Sequence, residues 1–277
     1  MGMSKWFLNI PKKFHIFWSG GSLPYLRYLT AYTFKKFNPE WEINLWTSQV
    51  KSKVRTWNTH QLNYPETWED WTDKLYRLCD NIHAIDFKSE LGVDNAISEV
   101  HKSDLLRYWF LNKEGGVYSD TDIVYFRPIT NLEINKPENK NKETFVCISH
   151  YGHSNGFFLS AKGSEFFRRM YEIARWLNHS SVYQSAGPDL CNANYPTLES
   201  IEKISPVENI GMDAVYFYNG QHIDHIYNRN ELIFDDNSIG LHWYAGHTLS
   251  GNFLNNTNGG LKNLPNNILG KLCNISI

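Results

Sequence analysis

The feature that most constrains this chain is a pair of aspartates, Asp120 and Asp122, set in a run of strand-like residues from Val117 to Phe126 (VYSDTDIVYF). Aspartates two positions apart on a strand point to the same face, so their carboxylates converge. Like charges this close are costly unless a cation neutralises them, and a hard divalent metal suits carboxylate oxygens. Such a metal can bridge a diphosphate and stabilise its departure. The run therefore predicts a metal centre at a buried strand and disfavours a solvated turn.

Strand-like and helical segments alternate before this run. Residues 13–18 (KFHIFW) and 41–46 (WEINLW) have the pattern of strands, and a helix is expected between them, from Ser22 to about Asn38. Residues 81–86 predict the next strand. This β-α-β order is typical of an α/β fold with a parallel sheet, which binds nucleotides at the carboxyl ends of its strands.

The rest of the chain continues the pattern less regularly. Helical spacing extends from about Ala96 to Asn112, residues 144–149 and 156–160 are strand candidates, and Ser164 is expected to cap an amphipathic helix.

We expect a single domain over residues 1–277, with a helical insertion at about 48–80. The C-terminal segment 251–277 is rich in Asn and Gly, and it is expected either to be flexible or to cover the site.

The overall charge and the cysteines exclude several classes of protein. A formal net charge of -2 gives no general attraction to nucleic acid or anionic lipid. Four cysteines without a C-x-x-C pair disfavour a zinc knuckle or a disulfide framework. No apolar run reaches roughly 18 residues, the length of a membrane-spanning helix. We therefore expect a cytoplasmic protein, a location that also allows peripheral association with the inner membrane face.

A second charged pair precedes the aspartates. Asp104 and Arg107 lie three positions apart on the predicted helix, so both can face one site as an acceptor and a donor of hydrogen bonds. The alternative is a surface ion pair, which contributes only roughly a few tenths of a kcal/mol. The neighbouring aspartates favour the shared site.

Several short motifs follow one another along the first half of the chain. They are Ile10-Pro11-Lys12-Lys13 with His15, Phe17-Trp18-Ser19-Gly20-Gly21, Asn38-Pro39-Glu40-Trp41, Ser103-Asp104-Leu105-Leu106-Arg107-Tyr108 and Gly115-Gly116-Val117-Tyr118-Ser119-Asp120-Thr121-Asp122. In this order they resemble glycosyltransferase family 32, the DXD-type sugar transferases. That family is similar to the yeast initiating α-1,6-mannosyltransferase, to bacterial capsule and lipo-oligosaccharide transferases, and to the glucosyltransferase domain of clostridial toxins. The resemblance covers residues 10–130 well and the rest loosely.

The resemblance implies a GT-A type fold, with a mixed, mostly parallel sheet flanked by helices. It also implies retention of the anomeric configuration and a Mn²⁺ or Mg²⁺ ion. Asp122 would bind this metal directly, together with Asp120.

The resemblance further implies roles in binding the nucleotide-sugar donor. Trp18 would stack on the base, while Asp104 and Arg107 would hold sugar hydroxyls and phosphate. Tyr118 and Asp120 would lie against the ribose and the sugar. The alternative for Trp18 and for Tyr118 is a place in the hydrophobic core.

The C-terminal half matches the family less well. Family members commonly close the site with a late His followed by a Ser-Trp pair, and here Ser250 is followed by Gly251. His242, after an apolar strand-like run, is the candidate metal ligand from this region. His247 is its competitor, and a structural histidine is the alternative for both.

Two further residues are implied on the sugar and acceptor side. Gly187-Pro188-Asp189 resembles the family's acceptor-side loop, so Asp189 is a candidate for contacting the acceptor or the forming oxocarbenium. Asn155, with Gly156, is a candidate for lining the sugar pocket.

We therefore predict a metal-dependent, retaining glycosyltransferase of the hexosyltransferase class, with a UDP-sugar as the favoured donor. The expected acceptor is a glycan or glycolipid in surface polysaccharide synthesis. One alternative acceptor is a protein or a modified DNA base, although Lys51 to Arg55 is the only compact basic run and nucleic acid is disfavoured. The other alternative is a non-catalytic nucleotide-sugar-binding module, which would not need so many repelling charges in its site.

Overall fold

The computed structural model describes residues 5–19, 21–54, 65, 67–177 and 182–276. Gly20, Arg55 and residues 56–64 and 66 of the predicted helical insertion lie outside the described residues.

A seven-stranded mixed sheet forms the centre of the described structure. The strands of the chain are β1 (Lys13–Phe17), β2 (Glu42–Ser48), β3 (Asn81–Ile85), β4 (Gly116–Ser119), β5 (Ile123–Tyr125), β6 (Thr144–Ser149), β7 (Gly152–Ser160), β8 (Val207–Asn209) and β9 (Gly240–His242). The sheet has the order β3-β2-β1-β4-β7-β6-β8, and β5 pairs separately with β9. Strand β7 runs antiparallel to both of its neighbours, and the other pairs in the sheet are parallel. The predicted α/β class with a mixed, mostly parallel sheet is confirmed.

Helices cover both faces of this sheet. They are α1 (Tyr25–Phe37), α2 (Thr72–Leu78), α3 (Phe87–Leu91), α4 (Glu99–Glu114), α5 (Glu165–Ala174), α6 (Pro188–Asn194), α7 (Leu198–Glu202), α8 (Ile223–Asn228), α9 (Thr248–Asn256) and α10 (Ile268–Ser276). Because both faces are covered, β1 and β2 are largely buried, including polar residues such as His15 and Asn44. Edge strand β3 is largely exposed, with only its last residue buried.

The starts of two predicted helices and the cap of a third need correction. Helix α1 begins at Tyr25 instead of Ser22, because Pro24 still has extended backbone and forms the cap. Helix α4 begins at Glu99 instead of Ala96, since the Ser98 side chain accepts the backbone N–H of His101 and caps the first turn. Ser164 precedes α5 as expected, but its hydroxyl lies 2.6 Å from Thr144 Oγ1 and does not cap the helix.

The C-terminal segment packs on the rest of the molecule through two helices. Apolar side chains of α9 and α10 are buried in one cluster with Leu26 and Leu29 of α1 and with Trp243 after β9. The described part of residues 48–80 contains α2. The division of the chain into one domain with an insertion stays a prediction.

No helix among the described residues is long and apolar enough to cross a membrane.

Candidate active site

A cavity of about 720 Å³ opens where β1 and β4 end and where β9 meets β5. This volume is within the usual range for small-molecule sites, roughly 300–1,000 Å³. All of the residues singled out from the sequence line it. They are Trp18, Asp104, Arg107, Tyr118, Asp120, Asp122, Asn155, Asp189, His242 and His247. Residues far apart in the sequence therefore meet in one cavity, as the motif order predicted.

The aspartate pair lies in the connection between β4 and β5, not on a strand as predicted. Strand β4 ends at Ser119, and β5 begins at Ile123. Backbone hydrogen bonds hold both aspartates: the N–H of Asp120 donates to the carbonyl of Gly156 at 2.7 Å, and the carbonyl of Asp122 accepts the N–H of Trp243 at 2.9 Å. The carboxylates converge because neighbouring strands hold this turn in place, and Asp122 is buried within it.

The antiparallel pairing of β5 with β9 brings a histidine to the aspartates. Ile123 pairs with His242, so His242 is placed beside Asp122. One ligand atom from each of Asp120, Asp122 and His242 lies within 4.8 Å of the other two. Two carboxylates and an imidazole at this spacing form a donor set that fits a divalent cation. The Nε2 atom of His242 faces Asp122, and its Nδ1 atom is buried without a hydrogen-bond partner.

Asp122 and His242 form a buried ion pair, with 3.2 Å between Oδ1 and Nε2. Burial raises the pKa of Asp122, but His242, Arg27 and the backbone N–H of Ala245 outweigh it and hold that pKa below its usual range. Burial lowers the pKa of His242, and the Asp122 carboxylate outweighs it and raises that pKa. A cation bound here must therefore compete with the proton on His242.

The Asp104–Arg107 pair is buried and forms part of a network, which excludes the alternative of a surface ion pair. Arg107 Nη2 lies 3.0 Å from Asp104 Oδ1 and 3.4 Å from Asp120 Oδ1. Arg107 Nη1 donates to the carbonyl of Asn155 at 2.5 Å. The Tyr118 hydroxyl donates to Asp120 Oδ1, and the Arg107 guanidinium lies over the Tyr118 ring, 4.4 Å from its centroid. One guanidinium thus connects helix α4 to the aspartate turn and to β7.

Burial raises the pKa of Asp104 to about 7, although Arg107 lowers it. The Asp104 carboxyl is therefore poised to lose a proton near neutrality. This carboxyl faces the cavity next to Gly187, where a Cβ atom would be 3.0 Å from Asp104 Oδ1. The site thus offers a carboxyl whose charge responds to what binds beside it.

Trp18 lies at the end of β1, half-buried against the core and lining the cavity. Its ring packs beside the Arg27 guanidinium, which is 5.1 Å from the ring centroid. Arg27 Nη1 donates to Thr121 Oγ1 at 2.6 Å, between the two aspartates. An aromatic face and a cation are therefore placed next to the proposed metal ligands. Arg27 was missed in the sequence because it sits alone in the first turn of a largely apolar helix.

Two tyrosines were also missed. Tyr216 and Tyr244 line the cavity, and their hydroxyls are buried without hydrogen-bond partners. A Cβ atom at Gly156 would be 2.6 Å from Asp120 Oδ2 and 2.7 Å from the Tyr216 hydroxyl, so only glycine allows both groups to approach there. Tyr244 has φ +51, a strained value for a non-glycine residue. Buried hydroxyls without partners and local backbone strain are typical of a site that binds a polar ligand. The two tyrosines belong to no local sequence motif, so the sequence did not indicate them.

Asp189 and His247 lie at the exposed side of the cavity. Asp189 is exposed in the first turn of α6. His247 caps α9 and accepts the N–H of Leu249 at 3.3 Å. Unlike His242, it does not belong to the group of converging ligand atoms in the described part of the chain.

Parts of this chain are similar to known proteins. Residues 28–140 match the family described as "Glycosyltransferase sugar-binding region containing DXD motif". No curated protein matches. Among solved structures the chain is similar to the PaToxG glycosyltransferase (15% identity, 70% of this chain, 73% of that chain, TM-score 0.45). It is also similar to the galactosyltransferase LgtC (12% identity, 84% of this chain, 87% of that chain, TM-score 0.39). A third similar structure is the UDP-bound glycosyltransferase domain of the YGT toxin (13% identity, 59% of this chain, 61% of that chain, TM-score 0.34).

The matched range contains the Asp104–Arg107 pair and both aspartates of the turn, which carried the resemblance. The family match agrees with the prediction of a DXD-type glycosyltransferase. Residues 28–140 thus match the model of a DXD-type glycosyltransferase sugar-binding region.

Proposed function

We propose that the chain is a metal-dependent, retaining hexosyltransferase that uses a UDP-sugar and acts on a glycan or glycolipid. The observation that carries the proposal is the convergence of Asp120, Asp122 and His242 within 4.8 Å, in a cavity that also holds the buried Asp104–Arg107 pair. A binding module without catalysis would not need to keep this many charges out of water, where each costs free energy.

The three converging side chains would hold Mn²⁺ or Mg²⁺. The imidazole favours Mn²⁺, because Mg²⁺ takes oxygen ligands. The ion would neutralise the diphosphate and stabilise the charge on the leaving nucleotide.

The chain's own residues would bind and orient the donor. Trp18 would stack on the base and Arg27 would approach the diphosphate, since the two side chains pack together beside the aspartate turn. Asp104 and Arg107 would hold the sugar hydroxyls and a phosphate oxygen. The free Oδ1 atom of Asn155 would accept from a sugar hydroxyl, because this buried atom has no partner. Tyr118 and Asp120 would lie against the ribose and the sugar.

The acceptor hydroxyl would attack from the face that the leaving group vacates, which retains the anomeric configuration. Asp189, at the exposed side of the cavity, would contact the acceptor or the forming oxocarbenium. Work on surface polysaccharide at the inner membrane face, with peripheral association, is part of this proposal and depends on the glycan or glycolipid acceptor.

A panel of UDP-, GDP- and TDP-sugars, scored for hydrolysis with and without Mn²⁺, tests the proposal. Many glycosyltransferases slowly hydrolyse their correct donor when no acceptor is present. We expect one UDP-sugar to be hydrolysed with Mn²⁺ and to be stable with EDTA. Hydrolysis of a GDP- or TDP-sugar would correct the base, and the absence of hydrolysis and of nucleotide binding across the panel would overturn the proposal.

A further inference from the structure

The turn between β6 and β7 holds an exposed aromatic ring at the mouth of the cavity. Tyr151 is 87% exposed and lines the same cavity as the aspartate turn. Its ring packs beside the His150 ring, with 3.8 Å between the centroids. An aromatic side chain this exposed contributes little to folding, so its position calls for another explanation.

The fold itself requires a glycine at this turn, but not an aromatic residue. Ser149 pairs with Gly152, so His150 and Tyr151 form a two-residue connection. Gly152 has φ +107, and a Cβ atom there would be 2.5 Å from Asn192 Oδ1. Glycine therefore meets the needs of the turn, and residue 151 is free to vary.

The turn is also fixed in place, so the ring is presented at a defined position. The backbone N–H of His153 donates to Asn192 Oδ1 at 2.9 Å, and His153 Nε2 lies 2.7 Å from the carbonyl of Tyr195. Both contacts tie the hairpin to α6 and its end. The α6 side of the mouth also carries Asp189, which is exposed.

The order of the strands puts Tyr151 on the far side of the cavity from Trp18. Trp18 follows β1, the aspartates follow β4, and Tyr151 joins β7 to β6, the next two strands. Neighbouring strands are about 4.8 Å apart, so the two ends of this row are offset by roughly 10–14 Å across the sheet. Strand β7 also extends beyond Phe157, the partner of Ser119, before the turn begins, which adds to the separation. A donor with its base at Trp18 and its diphosphate at the aspartates would direct its sugar toward β7. Tyr151 then lies beyond the sugar, where an acceptor must enter.

We propose that Tyr151 is the stacking platform of an acceptor subsite and that the acceptor is a saccharide; this rests on the function proposed above. A sugar ring presents an apolar face that an aromatic ring can cover, while its hydroxyls need polar partners at the edge. The mouth offers both, since Asp189, Asn192 and Gln184 line the cavity with Tyr151. This exposed ring among hydrogen-bonding side chains fits a saccharide better than a peptide, which would need paired backbone groups or apolar pockets.

The test compares transfer with hydrolysis of the same UDP-sugar. The probes are the methyl glycosides of glucose, galactose, mannose and N-acetylglucosamine, with lactose and maltose as disaccharides. Tyr151→Ala is expected to lower the ratio of transfer to hydrolysis about tenfold, the scale of one aromatic contact, by raising KM for the saccharide. Tyr151→Phe keeps the ring and should stay near wild type. Trp176→Ala is the matched control, because Trp176 is 75% exposed but does not line the cavity.

The outcomes separate this inference from the proposed function. If the wild-type protein hydrolyses none of the nucleotide-sugars, the proposed function fails. If it hydrolyses a donor but Tyr151→Ala transfers as well as Trp176→Ala, the stacking role of Tyr151 is wrong. Hydrolysis without transfer to any saccharide, or transfer to a peptide hydroxyl instead, overturns the saccharide acceptor.

Discussion

The two walls of the cavity differ in how firmly their residues are held. On the wall proposed to bind the donor, Asp104, Arg107, Tyr118 and Asp120 contact one another, and three of the four are buried. On the wall proposed to bind the acceptor, the cavity-lining residues Tyr151 and Asp189 are exposed. The difference teaches that contacts among buried side chains hold the proposed donor wall, whereas the proposed acceptor wall presents exposed side chains on a backbone that is itself held in place.

The largest difference between the walls should appear when Arg107 is removed. Arg107→Met leaves Asp104 and Asp120 without their shared cation, so we expect the free energy of unfolding to fall by about 3 kcal/mol and donor hydrolysis to fall by about two orders of magnitude. Asp189→Ala, on the exposed wall, should change the free energy of unfolding by less than about 0.5 kcal/mol. Urea titrations of both variants measure this, and equal losses would contradict the comparison.

The nucleotide end of the donor wall can be tested through Trp18. Trp18→Ala should weaken binding of the free nucleotide by about 1–3 kcal/mol, the contribution of an aromatic stacked on a base. Calorimetry with UDP measures the affinity, and Trp176→Ala serves as the control on an exposed aromatic. Unchanged affinity combined with a lower melting temperature would assign Trp18 to the core.

The buried side of the molecule should also be sensitive to acid through His15 of β1. Trp46 Nε1 donates to His15 Nδ1, and His15 Nε2 lies 3.0 Å from the carbonyl of Gly115. Burial lowers the pKa of His15 from 6.5 to about 4. The folded state thus binds the proton less well than the unfolded state, so this contribution to stability is present above pH 6.5 and is lost as the pH falls toward 4.

Protonation of His15 should make the free energy of unfolding about 2 kcal/mol lower at pH 5 than at pH 7. His15→Gln cannot take up the proton, so its unfolding free energy should be lower at pH 7 but should depend less on pH. Urea midpoints at the two pH values measure both effects. The same slope in variant and wild type would mean that other groups cause the acid sensitivity.

The smallest expected effect is a change in the Mn²⁺ requirement, which should differ between variants of His242 and His247. His242→Ala should raise the Mn²⁺ concentration for half-maximal hydrolysis about tenfold, because it removes one ligand of three from the protein. His247→Ala should shift it much less, since His247 caps α9 and lies outside the ligand group. Equal, unshifted midpoints would mean that carboxylates, phosphates and water hold the metal without either histidine.

The residues of the proposed donor wall could be recognised in the sequence because their signals are local. The spacing of Asp104 and Arg107 on a helix, and of Asp120 and Asp122 between strands, carries the chemistry within a few residues. The β1-α1-β2 start was equally visible in its apolar pattern. The placement of the aspartates on a strand was wrong. They lie in a turn that is held by backbone hydrogen bonds to Gly156 and Trp243, which are distant in the sequence.

The remaining parts could not be predicted because they depend on tertiary contacts. Arg27, Tyr216 and Tyr244 reach the site from three elements that no motif connects. The β5–β9 pairing, three residues long in each strand, is too short to leave a periodic pattern, yet it is what places His242 beside Asp122. Nothing in the sequence distinguishes Tyr151 from other turn residues; only the structure places its turn at the cavity.

The central claim is that Asp122 helps hold a metal that supports nucleotide-sugar chemistry. Its most direct test is the rate of Mn²⁺-dependent hydrolysis of the correct donor by Asp122→Asn. The exposed Asp236→Asn, outside the cavity, is the control, and circular dichroism confirms that both variants fold. We expect Asp122→Asn to lose at least about two orders of magnitude in rate while Asp236→Asn stays near wild type. Near wild-type turnover in Asp122→Asn would contradict the metal centre.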